Sequence, residues 1–190
     1  MTYNVMFIDS GMLLAAHKGY GLPDKKFDWR KVIKKYMNGF PNKNNVCYYY
    51  GVKFDGTSEE IDSADRFYHA LKTFGINVRL GGFDSKMDKQ KGVDIELAID
   101  WMIEVLDYSV GHSDVNFYIY TADSDFVPLF KFARKKGIKV NLLYFNILEG
   151  TGSKSVTTNR FIIESASSAT KLGKDFLEEI GMDNRAVKIK

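Results

Sequence analysis

Residues 116–140 read NFYIYTADSDFVPLFKFARKKGIKV, and the order of features in this stretch decides the fold. An aromatic and aliphatic run is followed at once by two aspartates. An apolar pattern of helical spacing comes next, stops at Gly137, and gives way to a second apolar run from Val140. A glycine just past a helical pattern is a stop signal, because it enters the left-handed backbone region at little cost. Strand, acidic turn, helix and strand in this order form the repeating unit of a parallel α/β sheet. The apolar runs lack a clean alternation, as expected for strands covered on both faces.

Outward from this stretch the same grammar repeats. Strands are expected over residues 5–8, 46–50, 78–80, 115–120 and 140–145, and helices over 28–37, 59–74, 94–107 and 124–136. The segment GGFDSKMDKQKG at 81–92 has no apolar period and reads as an exposed loop, as does EGTGSKSVTT at 149–158. A short helix over 171–180 and a basic tail follow. A chain of 190 residues, 45% of them hydrophobic, can bury one sizeable core. The expectation is therefore a single α/β domain over 1–165, with a mostly parallel central sheet between two helical layers, and a C-terminal helix and tail over 166–190.

Composition removes several function classes. Fourteen Phe and eleven Tyr against three Pro argue for an ordered chain. No run reaches the length of a membrane span and the N-terminus has no targeting pattern, so the expected setting is soluble and cytoplasmic. Cys47, the single cysteine, lies in VCYYYG, which excludes an internal disulfide and a cysteine-based zinc site. His17, His69 and His112 are scattered outside the acidic motifs. A net charge of +3 announces no nucleic-acid partner by itself. The basic groups around residues 30–35 and 131–139 read as solvated helix faces, whereas Lys86, Lys89 and Lys91 lead directly into an acidic motif.

The acids carry the chemistry. Asp9 follows VMFI at the carboxyl end of the first strand, the place where open α/β sheets bind ligands, although aspartate there also serves turns. Asp123 and Asp125 follow a second strand, and a helix cap uses only one of them. In KGVDIELAIDWMIEVLD, residues 91–107, a phase of 100° per residue aligns Asp94 with Ala98, Trp101 and Val105 on an apolar half facing the sheet. The same phase groups Glu96, Asp100, Glu104 and Asp107 on an opposite, solvated face. An inward acid beside two strand-end acids calls for a counter-charge. An all-oxygen set suits a hard cation, Mg²⁺ or Mn²⁺.

The segments FIDS, KGVDIELAIDWM and TADSDFVPLFKFARKKGIKV, taken together, resemble the NYN domain family, a branch of the PIN-like metal-dependent nucleases. The resemblance implies a PIN-like, Rossmann-like three-layer fold and hydrolysis of RNA, single-stranded by preference, at a Mg²⁺ or Mn²⁺ site held by Asp9, Asp94, Asp123 and Asp125. Thr121, Ser124 and Asp100 would orient those acids from behind, and Lys86, Lys89 and Lys91 would contact phosphates. Where the family carries an asparagine three residues beyond the first aspartate, this chain has Met12, and Thr121-Ala122 replaces the usual Ser-Gly. Met12 favours an alternative reading, a catalytically impaired module that binds RNA or protein. A phosphatase acting on a small phosphate ester is a third reading. The aromatic stretch 67–74 could pair two copies as a homodimer.

Overall fold

The computed structural model describes residues 2–20, 26–37, 39–53, 56–84, 89–108, 114–146 and 157–182. In chain order the elements of its first half are β1 (Thr2–Asp9), α1 (Ser10–Gly19), β2 (Lys26–Phe27), α2 (Trp29–Met37), β3 (Asn45–Val52), α3 (Ser58–Thr73) and β4 (Asn77–Asp84). The second half comprises β5 (Lys89–Lys91), α4 (Val93–Tyr108), β6 (Asp114–Tyr120), a 3-10 turn (Ser124–Phe126), α5 (Val127–Lys135), β7 (Lys139–Phe145), α6 (Arg160–Ser165), β8 (Ser168–Leu172), α7 (Lys174–Ile180) and β9 (Gly181–Met182).

The main sheet runs β5-β4-β3-β1-β6-β7-β8, and every pairing from β4 to β8 is parallel. The five expected strands all form, each with longer bounds than its apolar run. Two corrections concern the edges. The expected loop at 81–92 instead continues β4 through Asp84 and returns as β5, antiparallel to it, with Gly82 opposite Lys91. Backbone pairing at a sheet edge needs no apolar face, so a polar Gly-Lys-Asp sequence can form it. Residues 168–172, where only a helix start was expected, form β8 on the far edge beside β7. Four of its five residues are exposed, which hid the strand from a search for apolar runs. The helix there begins at Lys174. The helix α1, directly after Asp9, was not singled out in the sequence. The expected loop at 149–158 lies largely outside the described residues, and the tail from residue 183 wholly so.

The helices fall into two layers. Met12 and Ala16 of α1, Trp29, Val32 and Ile33 of α2, Leu71 of α3 and Phe176 and Leu177 of α7 pack on one sheet face. Val93, Leu97 and Trp101 of α4, Phe130 of α5 and Ile162 of α6 pack on the other. Phe7 of β1 lies at the centre of the second layer, with ring centroids 4.8 Å from Trp101 and 5.4 Å from Phe117. A truncation to alanine there would cost about 3–5 kcal/mol through lost contacts and a cavity.

This topology places a crevice. From β1 the chain winds outward through β3 and β4, then α4 carries it back across to β6 on the other side of β1. The reversal between β1 and β6 is a topological switch point, where connections leave in opposite directions and the strand ends are left uncovered.

Candidate metal centre

Asp9 is the last residue of β1 and Thr121 directly follows β6, so the pairing of these two strands brings both to the switch point. The Thr121 hydroxyl, fully buried, donates to Asp9 Oδ2 at 3.1 Å. The Thr121 hydroxyl oxygen itself accepts the Asp123 backbone N–H at 3.1 Å. Asp123 Oδ1 in turn accepts the Asp125 N–H at 2.8 Å and caps the 3-10 turn. The Gly11 N–H donates to Asp9 Oδ1 at 3.0 Å. The turn and cap roles of Asp9 and Asp123 are therefore real, and they do not exhaust the acids. An ionised carboxylate offers about four acceptor sites, so each keeps lone pairs free.

Asp94 reaches the same place from α4. Gly92, at φ +81°, turns the chain out of β5, and Asp94 sits in the first helical turn. The electrostatics report the convergence. Desolvation pushes the Asp9 carboxyl up to about 6, against hydrogen bonds from Thr121 and Gly11 that lower it, and the Asp94 charge adds to the rise. Asp94 is itself raised, first by desolvation and then by Asp123 and Asp125. Asp94 thus repels each of the other three carboxyls, and no ion pair among the described residues joins any of the four to a cation. Oxygen donors in a desolvated crevice fit a hard divalent ion in chemistry. Their present arrangement is more open than a coordination sphere: among the described residues, no three acidic, His or Cys side chains stand together as a metal cluster.

The helical phase requires a correction. Asp94 is exposed at the helix end and does not face inward, while two acids assigned to a solvated face are buried, Asp100 at 7% and Glu104 at 3% exposure. Their partners explain the burial. Glu104 accepts Tyr3 and Tyr48 hydroxyls at 3.0 and 2.6 Å, and Asp100 accepts Tyr50 at 3.0 Å and two nitrogens of Arg79 at 2.9 and 3.2 Å. Polar residues on the sheet supplied what a hydropathy phase does not register. Asp100 therefore belongs to this tyrosine-lined layer, and its hydrogen bonds go to Tyr50 and Arg79. The face of α4 that does look outward carries Ile95, Ile99 and Ile103.

Of the remaining candidates, Ser124 opens the 3-10 turn beside Asp123. Lys89 and Lys91 lie on β5, immediately before the turn into α4, and Lys86 lies outside the described residues. Met12 is buried in the core of the first layer, so its side chain lines packing and not the acidic crevice.

A model of the NYN domain family matches residues 4–173, most of the chain. No curated protein matches it significantly. Among the described residues, no helix is long and apolar enough to cross a membrane.

Proposed function

The chain belongs to the NYN domain family, generally nucleases, and from that premise we propose that it hydrolyses RNA phosphodiester bonds with Mg²⁺ or Mn²⁺ held at the β1–β6 crevice. The observation that carries the reading is the Thr121 bridge, which ties Asp9 to the Asp123 backbone at the switch point while Asp94 and Asp125 raise the local negative charge. Asp9 and Asp123 would be the direct ligands, and Asp94 and Asp125 would bind directly or through water. A bound divalent ion supplies Lewis acidity toward water and neutralises charge on the phosphate.

The chain's own groups do the rest. Thr121 and the Gly11 N–H hold the two Asp9 oxygens in one orientation, so little reorganisation is needed when substrate arrives. The Asp125 N–H does the same for Asp123. Lys89 and Lys91, at the approach to Gly92, would attract backbone phosphates, and a single strand, which can turn its backbone into the crevice without unpairing bases, is the expected substrate. Incubation of the purified protein with Mn²⁺ and a labelled single-stranded RNA is expected to yield cleavage that Asp9→Asn and Asp123→Asn each abolish with the fold intact. Equal cleavage by wild type and both variants would remove the assignment.

A second reading, an RNA- or protein-binding module without turnover, is favoured by the openness of the acid set and by Met12 in the core. It would be selected by RNA binding that survives both substitutions, with no cleavage under any divalent ion.

A further inference from the structure

We propose that the amino end of the main sheet holds a second binding site, a pocket for one unpaired nucleobase, either free in a nucleoside or carried in an RNA strand. The face of β3, β1 and β6 that packs on α1, α2 and α7 is apolar or aromatic in its inner rows. Cys47, Met6 and Tyr118 lie side by side there, then Tyr49, Ile8 and Tyr120. The row before them is Asn45, Asn4 and Asn116, three amides in register on adjacent strands. They are joined edge to edge: Asn4 Nδ2 donates to Asn45 Oδ1 at 2.9 Å, and Asn116 Nδ2 donates to Asn4 Oδ1 at 3.2 Å. This row lines a cavity of about 390 Å³, whose walls include Tyr36 from the end of α2, Tyr118 of β6 and Asn42 before β3. That volume is within the range of small-ligand sites.

The lining selects the ligand. Of the described residues that form it, none is charged, and Asp114 and Lys139, whose charges reach Tyr118, are paired with each other at 2.9 Å. A phosphate, carboxylate or metal ion would enter without a counter-charge, and a lipid tail would leave the amides without partners. A base is neutral and flat, and its edge carries a donor beside an acceptor. An amide offers two donors and two lone pairs, so after both bonds of the row Asn4 keeps one of each for a ligand. Asparagine meets adenine in this paired way, through N6 and N7. The Tyr36 and Tyr118 rings, 6.4 Å apart between centroids and inclined by 44°, supply an aromatic wall for an unstacked base. A sugar of this size has hydroxyls but lacks a donor and acceptor fixed in one plane. Asn4 and Asp9 lie near opposite ends of β1, about 17 Å apart along the strand. Base binding there needs neither metal nor cleavage.

Heteronuclear NMR of the full chain in EDTA reads the asparagine side-chain amides directly. Adenosine is expected to shift the Asn4 and Asn116 amide signals saturably, while glucose at the same concentration leaves them in place. Asn4→Leu, read at Asn116, and Tyr118→Leu, read at Asn4, should each weaken adenosine by about tenfold or more with an unchanged circular dichroism spectrum. Tyr118→Phe, which keeps the ring, should bind as wild type does. A short oligoadenylate that binds about tenfold or more tighter than adenosine identifies the base as part of an RNA strand, and a smaller gain or none identifies a free nucleoside. Amide signals that neither adenosine nor the oligoadenylate moves would overturn the proposal. So would signals that glucose moves as adenosine does, or an affinity that both leucine substitutions leave unchanged.

Discussion

Two groups of acids lie along the same crossover helix and its neighbouring strands, and they meet opposite fates. Asp100 and Glu104 are the more deeply buried, yet each is met by tyrosine hydroxyls and Asp100 also by a guanidinium. Asp9 and Asp94 sit nearer the surface, with a cluster of like charge around them. Burial alone does not decide what a carboxylate contributes. The paired acids stabilise the fold, and the strand-end acids are held at a cost that a ligand can offset.

Substitutions should separate the two groups. The largest effect is expected on turnover: Asp9→Asn should lower RNA cleavage by about 100-fold or more, roughly 2.7 kcal/mol of barrier, whereas Glu104→Gln should leave kcat largely unchanged. Urea unfolding should show the reverse. Glu104→Ala removes the acceptor of two buried tyrosine hydroxyls and is expected to cost about 2–4 kcal/mol, while Asp9→Asn should be neutral or stabilising near neutral pH.

A comparable effect comes from protons. Folding raises the Asp9 carboxyl from 3.8 to about 6, so between those values the folded chain binds more protons than the unfolded one. Stability should therefore fall as pH rises through that window, on the order of 3 kcal/mol in metal-free protein. Glu104 and Asp94 are shifted in the same direction, each first by desolvation, so the residual slope in Asp9→Asn measures their joint share. Asp28 is lowered, first by its hydrogen bond with Arg30, and acts the opposite way at more acidic pH. Saturating Mg²⁺ should flatten the Asp9 slope in thermal melts. Arg79→Met should weaken the fold by about 1–2 kcal/mol, since Asp100 keeps Tyr50 but loses its fork. Lys139→Met, which breaks an exposed pair with Asp114, should leave the unfolding midpoint where it was.

Much of this was legible in the chain because the strongest signals are local. The run NFYIY, the acids after it and Gly137 at φ +79° behave as the stretch 116–140 reads. Strands β5 and β8 were not legible, because edge pairing is made by backbone groups and leaves side chains exposed. The helical phase of α4 failed for a related reason. Hydropathy cannot see a tyrosine hydroxyl waiting on β1 or β3, so Asp100 and Glu104 read as solvated and Asp94 as inward. A count of the polar-tipped aromatics in VCYYYG would have been the available clue, since buried tyrosines need acceptors. The aromatic stretch 67–74, read as a pairing surface, begins against the core: Phe67 packs edge-on to Tyr49 and Tyr68 donates to the Val52 carbonyl. The bridging role of Thr121 depends on which strand neighbours β1, a long-range fact absent from any local window.

That neighbour relation also sets a schedule. β1 is complete at residue 9, yet the strand that closes its open side ends at residue 120 and the Thr121 hydroxyl follows directly. During synthesis, more than half of the chain must leave the ribosome before the crevice can exist, and until then Asp9 is an isolated carboxylate in an unfinished sheet. A protein read as a cutter of RNA would thus be silent through the first half of its synthesis, and armed only when its middle strand is clasped from both sides.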